Sequence, residues 1–492
     1  MGTMRFDVTA PDRITPETAQ TGYITGFERI PWRCEVRLVE NQLQVIRDLN
    51  ESGCFHMLWP VDRHGLTTVS TGNLIERERP YRLPLEFARG KIAQFRSQMS
   101  DWRAMGLDIP QAILSKANEA QKRFRTAVLS QDEDPALSTQ AAGEALSLTL
   151  DAGVLLSTVY ANRTMAARRR LDTENTCMLG VDLGTAAPAQ PASTQILDAF
   201  NTACVSLKWR EVEAGENRRE WEVFDRQIAW CEENNLDVCA GPLFQLGPGS
   251  TPDWLCLFED DTDSMRSAVG QYVKAAVTRY RGRVDLWECS GRTNMDIYST
   301  LSEEDRVQLT AHVVEQVASL DPKTPRVISF DAPWAEYVGS RETDFPPLYF
   351  ADALIRSGLG ISGIMLEINL GYRPGGTLPR DPIDLNRLID LWGGLGVPLY
   401  VKFCIPSRPG PDPRAYHKTA TVQPASSPET QRILANRYLS LLVARSVVHG
   451  VFWSQLHDSQ PHDYPHGGLF DALGRPKPIL RTISALHQAF FK

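Results

Sequence analysis

The residues able to do chemistry in this chain stand where short apolar runs end. Asp182, Lys208, Trp209, Gln245, Glu288, Arg292, Asp331, Trp334, Glu367, Asn369, Lys402, Trp453 and His457 each lie at or near the end of such a run. Carboxylates, amides and cations interleaved with tryptophan suit a sugar site: rings stack on pyranose faces, polar groups bind hydroxyls, and two carboxyl groups do acid and base work. Glu367, as nucleophile or base, and Asp331, as acid, form the expected catalytic pair, because they end adjacent runs. Lys208, Trp254, Arg292, Trp334, Asn369, Lys402, Trp453 and His457 are expected to contact substrate. Trp254, Trp334, Tyr337, Tyr372 and Trp453 are candidate sugar platforms, Trp453 foremost. His457, His462 and His466 with Asp458 and Asp463 fit no standard ligand spacing, so hydrogen bonding is expected there and no metal. Ser290 and Cys289 have no histidine near them in the pattern and read as core.

Such groups need a frame that brings run ends together. Beyond residue 177 the pattern alternates strand and helix. Strand-like runs are 178–182, 203–209, 237–244, 284–291, 326–333, 361–369, 399–405 and 451–457, with helical patterns at 221–234, 264–280, 303–320, 383–391 and 429–448. Eight such units predict an α/β fold, a (β/α)8 TIM barrel, in which chemistry sits at the strand C-termini. No Gly-x-Gly-x-x-Gly or Walker loop points to a nucleotide, and no cofactor is expected.

Residues 1–83 read as a β-rich, β-sandwich-like module, with alternation over Arg33–Val39 and Cys54–Trp59 and a turn at Asp62–Gly65. Residues 84–175 read as helical: Leu85, Phe87, Ala88, Ile92, Phe95, Met99 and Trp102 recur at helical spacing, Gly106 and Pro110 break it, and helices follow over 110–130 and 135–170. The domains expected are therefore 1–83, 84–175 and a barrel over 177–492. The chain's 492 residues at 42% hydrophobic content can bury a large core. A net charge of -8 without a basic stripe argues against nucleic acid. Nine scattered cysteines without a Cys-x-x-Cys pair suggest reduced core thiols. With neither a signal-like segment nor a run expected to span a membrane, a cytoplasmic protein is expected.

Several blocks in the same order resemble glycoside hydrolase family 10, the xylanase family of clan A. Lys208-Trp209 with Glu213, Trp221 and Asp225 is similar to its Lys-Trp-Glu block, and Pro252-Asp253-Trp254 to its Pro-x-Trp. Tyr280-Arg281-Gly282-Arg283-Val284 with Trp287 resembles the approach to its fourth strand. Gly450-Val451-Phe452-Trp453, Gly468-Leu469-Phe470-Asp471 and Lys477-Pro478 resemble its close. The resemblance covers about 177–492 and implies a polysaccharide or oligosaccharide ligand such as β-linked xylan.

The same alignment puts Arg292 in the family's acid/base position and Lys402 in its nucleophile position. Glu288 then matches an in-strand acid and reads as structural. A retaining glycosidase needs two carboxyl groups roughly 5 to 5.5 Å apart, and neither cation can attack an acetal carbon. Three readings follow. The first is a barrel that binds glycan without cleaving it, with two cations suited to an acidic sugar or else paired with Glu367 and a loop acid. The second is a hydrolase with its carboxylates relocated to Glu367 and Asp331. The third is an assembly scaffold resting on the N-terminal region.

Overall fold

A computed structural model describes residues 2–8, 13–170, 177–258, 261–295, 300–340, 345–373, 375–416, 420–422 and 426–491. The chain forms two compact units. One comprises Met1–Ala167, Trp334–Pro346 and Leu378–Leu391; the other comprises Arg168–Pro333, Pro347–Thr377 and Trp392–Lys492.

In the first unit, four strands run in the order Cys34–Val39, Gln42–Arg47, Gly2–Asp7, Tyr81–Arg82, and four more in the order Pro31–Trp32, Tyr23–Thr25, Cys54–Val61, Gly65–Ser70. Gln42–Arg47 buries alternate residues, as a strand with one covered face must. Phe6, Leu43, Val45, Phe55, Met57 and Trp59 share one core with Phe87 and Ile92 of the helix Leu83–Ala104 and with Ala145, Leu146 and Leu150 of the helix Pro135–Arg170. Sheets and helices thus belong to one body, where the sequence pattern divides them at residue 83. Two stretches from between barrel strands, 334–346 and 378–391, join it. Asp381 pairs with the buried Lys91 at 2.5 Å, and Arg380 donates to Tyr23 Oη at 2.6 Å.

The helix Pro135–Arg170 corrects one expectation. An 18-residue window in it reaches a mean hydropathy of 1.2, enough by length and composition to cross a membrane, and 56% of that window is buried inside the structure.

The second unit is a closed parallel barrel of eight strands: β1 (Met178–Asp182), β2 (Thr202–Val205), β3 (Asp237–Ala240), β4 (Leu286–Gly291), β5 (Arg326–Asp331), β6 (Gly363–Glu367), β7 (Leu399–Phe403) and β8 (Val448–Trp453). Each pairs with the next, and β8 returns to β1 with Gly450 against Met178 and Trp453 against Val181. All eight expected strands are present. The second, for one, ends at Val205, and the run read as strand through Trp209 turns into a short helix at Trp209–Val212. Leu207 and Trp209 stay buried beyond the strand, so the apolar residues run past the strand end and do not mark it.

The barrel interior is filled by Cys204, Cys239, Leu286, Val327, Met365, Tyr400 and Phe452. Glycine at 180 makes room for one of the two rings. A Cβ there would lie 2.3 Å from Phe452 Cδ1, and Phe452 is fully buried. Gly180→Ala should therefore lower stability by about 1–3 kcal/mol through overpacking. Thermal unfolding checks this, and the added change Phe452→Leu should recover part of the loss.

Candidate active site

Above that apolar plug the barrel strands carry charge. In register across β5, β6 and β7, Asp331 lies beside Glu367 and Glu367 beside Lys402. Partners in parallel strands share a face, so the three line up as one row. Lys402 Nζ lies 3.5 Å from Glu288 Oε2 of β4 and 3.9 Å from Asp182 Oδ2 of β1. Serines complete the layer: Ser206 Oγ donates to Asp182 Oδ2 and Ser329 Oγ to Glu288 Oε1, each at 2.5 Å. Burial alone would depress the Lys402 ammonium, but Glu288, Asp182 and Glu367 hold it well above its ordinary value. Burial acts on Glu288 in the opposite sense, raising it, while Lys402 pulls it down.

One level higher stands Arg292, immediately past β4 in the left-handed region with φ of 58°. Non-glycine residues take that conformation when surrounding contacts over-determine it. Its guanidinium is such a hub. Nη2 lies 2.6 Å from Asp463 Oδ2 and 3.5 Å from Glu367 Oε2, and Nε lies 3.7 Å from Asp331 Oδ2. With its amide turned to satisfy both ends, Gln245 accepts from Nη1 at 2.8 Å and from Nε at 3.2 Å. The Tyr464 ring lies 5.9 Å away and the Tyr464 hydroxyl donates to Asp331 Oδ2 at 3.1 Å. Asp463 also faces Lys208 Nζ at 3.4 Å. Asp331 is wholly buried; desolvation first and Glu367 second push its carboxyl up to about 7, against the pull of Arg292.

The structure brings Lys208, Arg292, Glu367, Asn369, Lys402 and His457 around one cavity, together with Asp182, Gln245, Asp463 and Tyr464. The alternative pairing of Lys402 with Glu367 gives way to Glu288 and Asp182, while Arg292 does find a loop acid in Asp463. Asn369 Oδ1 accepts from Ser454 Oγ at 3.4 Å, and His457 stacks on Phe470 with burial lowering its pKa.

Other candidates lie elsewhere. Asp331 sits behind Arg292 and outside the cavity lining. Trp453 is buried, donates to Gly467 O at 2.9 Å and packs on Phe403, so its ring offers no platform. Trp254 donates to Glu213 O at 3.1 Å and packs edge-on against Trp209, again off the cavity. Tyr372 is buried with its hydroxyl on Pro465 O, and Trp334 and Tyr337 belong to the first unit. His462 and His466 both face Asp412, at 3.1 and 3.2 Å, whereas Asp458 pairs with Lys477 at 2.6 Å, so the histidine cluster divides between two acids. Sequence reasoning missed Asp463 and Tyr464 as partners of Arg292; their place in the loop after the last strand was the available signal.

The cavity holds about 50 Å³. A buried water needs about 10–15 Å³ on this measure, so a few waters fit, and ligand sites run to about 300 Å³ and more. In this arrangement the cavity is too small for a sugar ring. The groups that converge here are Asp331, with its carboxyl pushed up to about 7, Glu367 beside it, and the Arg292 guanidinium within 3.7 Å of both.

Asp331 retains its proton in the fold at pH values where the unfolded chain has lost it. That contribution to stability is complete below about pH 4 and is lost as pH rises to about 7. Asp331→Asn should flatten the decline in stability across that window, worth a few kcal/mol, as read by denaturant titrations at several pH values. Arg292→Met should cost about 3–5 kcal/mol at pH 8, by leaving Glu367 and Asp331 without this cation and Asp463 with Lys208 alone, and less at pH 5.

Among known proteins, residues 177–290 match the family model "Glycosyl hydrolase family 10". No curated protein matches the chain. Solved structures similar to it include native xylanase 10B from Thermotoga maritima, at 14% identity over 64% of this chain and 95% of that one with a TM-score of 0.49. Xylanase 10B from Thermotoga petrophila RKU-1, in complex with xylobiose, is 15% identical over 65% and 96% with a TM-score of 0.49. The family 10 protein of Paenibacillus barcinonensis is 16% identical over 64% and 96% with a TM-score of 0.48. Residues 177–290, which supply the first four barrel strands, thus carry a family 10 glycosyl hydrolase signature.

Proposed function

We propose that the barrel is a carbohydrate-binding relative of the β-1,4-xylanases that does not cleave its ligand by the two-carboxylate retaining route. The observation that carries this reading is the state of Arg292 and Lys402, which the resemblance aligns with the acid/base and nucleophile positions. They are 2% and 7% exposed, and each is in contact with two or more carboxylates. Neither side chain can attack carbon or deliver a proton to a leaving oxygen at working pH. The match over residues 177–290 supports a glycan as ligand. The pairing supports a neutral β-linked chain over an acidic one. A uronate or sulfate would have to displace Asp463 and Glu367 from Arg292, or Glu288 and Asp182 from Lys402, and would meet those carboxylates as repulsion.

The second reading, hydrolysis by relocated carboxylates, has one observation of its own. Asp331 near 7 beside Glu367 across a parallel strand pair has the make-up of an acid and its partner. Arg292 stands against it by holding both groups.

The two readings separate in one experiment with soluble xylan and other neutral β-linked polysaccharides. We expect retardation in affinity gels with no reducing ends above blank. Release of reducing ends that disappears in Glu367→Gln and Asp331→Asn would establish relocated catalysis, and neither retardation nor release would remove the carbohydrate role.

A further inference from the structure

The first unit contains a larger cavity than the barrel mouth, about 390 Å³, a size at which one- or two-ring molecules fit. Its walls include Tyr23, Phe27, Arg29, Trp32, Trp334 and Arg387. Chemistry and shape there point to a definite ligand class.

The aromatic walls are set by the backbone. Gly26 leaves no room for a side chain: a Cβ would lie 2.1 Å from Trp32 Cζ2, so the indole lies flat on the main chain. Trp334, expected from sequence to stack on sugar at the barrel mouth, lines this cavity at 5% exposure. Phe27 stands at its edge fully exposed, at 101%. An isolated phenyl ring in water at a cavity rim lacks the cover such a ring ordinarily finds.

The charges are unevenly matched. Arg380 is held by Asp384 at 2.6 Å and by Glu336 at 2.5 Å. Arg29 and Arg387 have no carboxylate within ion-pair distance among the described residues. Arg29 instead donates to the Arg387 carbonyl at 3.4 Å and holds a left-handed φ of 60°. With Arg380 matched by Asp384 and Glu336, Arg29 and Arg387 share the lining with Glu51 as its other acid, a local surplus of one positive charge. That surplus suits a monoanion better than a phosphate dianion, and a guanidinium presents the planar fork a carboxylate accepts. His56, also in the lining, stacks on Tyr23, bonds Thr25 Oγ1 at 2.9 Å through Nε2 and leaves Nδ1 without a partner.

We infer that this cavity is a binding site for a small carboxylate carried on a ring, its charge between Arg29 and Arg387 and its ring against Trp32, Trp334 and Phe27. Two sources share that chemistry, an aryl carboxylate and a uronic acid.

Isothermal titration calorimetry on the full chain tests it with benzoate and glucuronate as probes, benzamide and xylose as their neutral counterparts, and inorganic phosphate. We expect saturable heat from at least one carboxylate and none from its neutral counterpart, with benzoate against glucuronate deciding the source. Arg29→Gln and Arg387→Gln should each weaken binding tenfold or more while leaving thermal unfolding unchanged, since neither arginine is in an ion pair among the described residues. Trp32→Ala should weaken it with the charge intact. Absence of saturable heat, equal affinity for a neutral counterpart, tighter binding of phosphate, or affinity unchanged in both arginine variants would overturn the assignment.

Discussion

Arg292 carries a permanent charge into a region where three carboxylates converge, and the barrel mouth is organised by that fact. A guanidinium out of water is tolerable only when its donors are matched, and Asp463, Glu367, Asp331 and Gln245 supply the matches from four separate segments. Because the donors sit in a fixed planar fork, the segments that meet it lose freedom together. The loop after the last strand is fixed to the mouth through Asp463 and Tyr464, and Lys208 shares Asp463 from the second strand's loop. The small cavity follows from this: the space a substrate would need is occupied by the groups that neutralise the arginine.

The layer beneath repeats the logic with a lysine. Lys402 faces Glu288 and Asp182; Ser329 donates to the other Glu288 oxygen, Ser206 shares Asp182 Oδ2 with Lys402, and the Gly184 amide donates to Asp182 Oδ1. Below it Phe452 and Tyr400 close the barrel against water, with glycine at 180 and 450 admitting their rings. The ionic layer is therefore supported from below by packing that cannot relax and capped from above by Arg292. Burial is what pushes the Asp331 carboxyl up toward neutrality, with Glu367 adding to it, although a guanidinium lies 3.7 Å away.

Much of this architecture was legible in the residues. The eight strand runs stand out because parallel strands are covered on both faces and read as continuous apolar stretches. The helices Leu83–Ala104 and Gln111–Leu129 stand out because Gly106 and Pro110 separate them. Strand ends were less legible: Leu207 and Trp209, just past the second strand, are as buried as the strand itself. Tryptophan roles were the least legible, since Trp453 and Trp334 have the same composition around them as a sugar platform and differ only in what lies above the ring. That Arg292 would meet a loop acid was legible, but which one was not, because Asp463 and Tyr464 lie about 170 positions away in a loop without periodicity. The two segments that leave the barrel sequence for the first unit are hidden for a similar reason: Lys91 and Asp381 meet across 290 residues.

The two cavities differ in the way that decides what each can bind. At the barrel mouth the cations Arg292 and Lys402 are spent on internal carboxylates, and about 50 Å³ remains. In the N-terminal unit Arg380 plays the internal part, tied to Asp384, Glu336 and Tyr23, and so frees Arg29 and Arg387 from that duty. A fold satisfies its own buried charges before it can offer one to a ligand. By that criterion the barrel mouth keeps its charges matched internally, whereas the unit built on the N-terminal sheets and helices presents both the volume and the uncommitted charge that recognition of an anion requires.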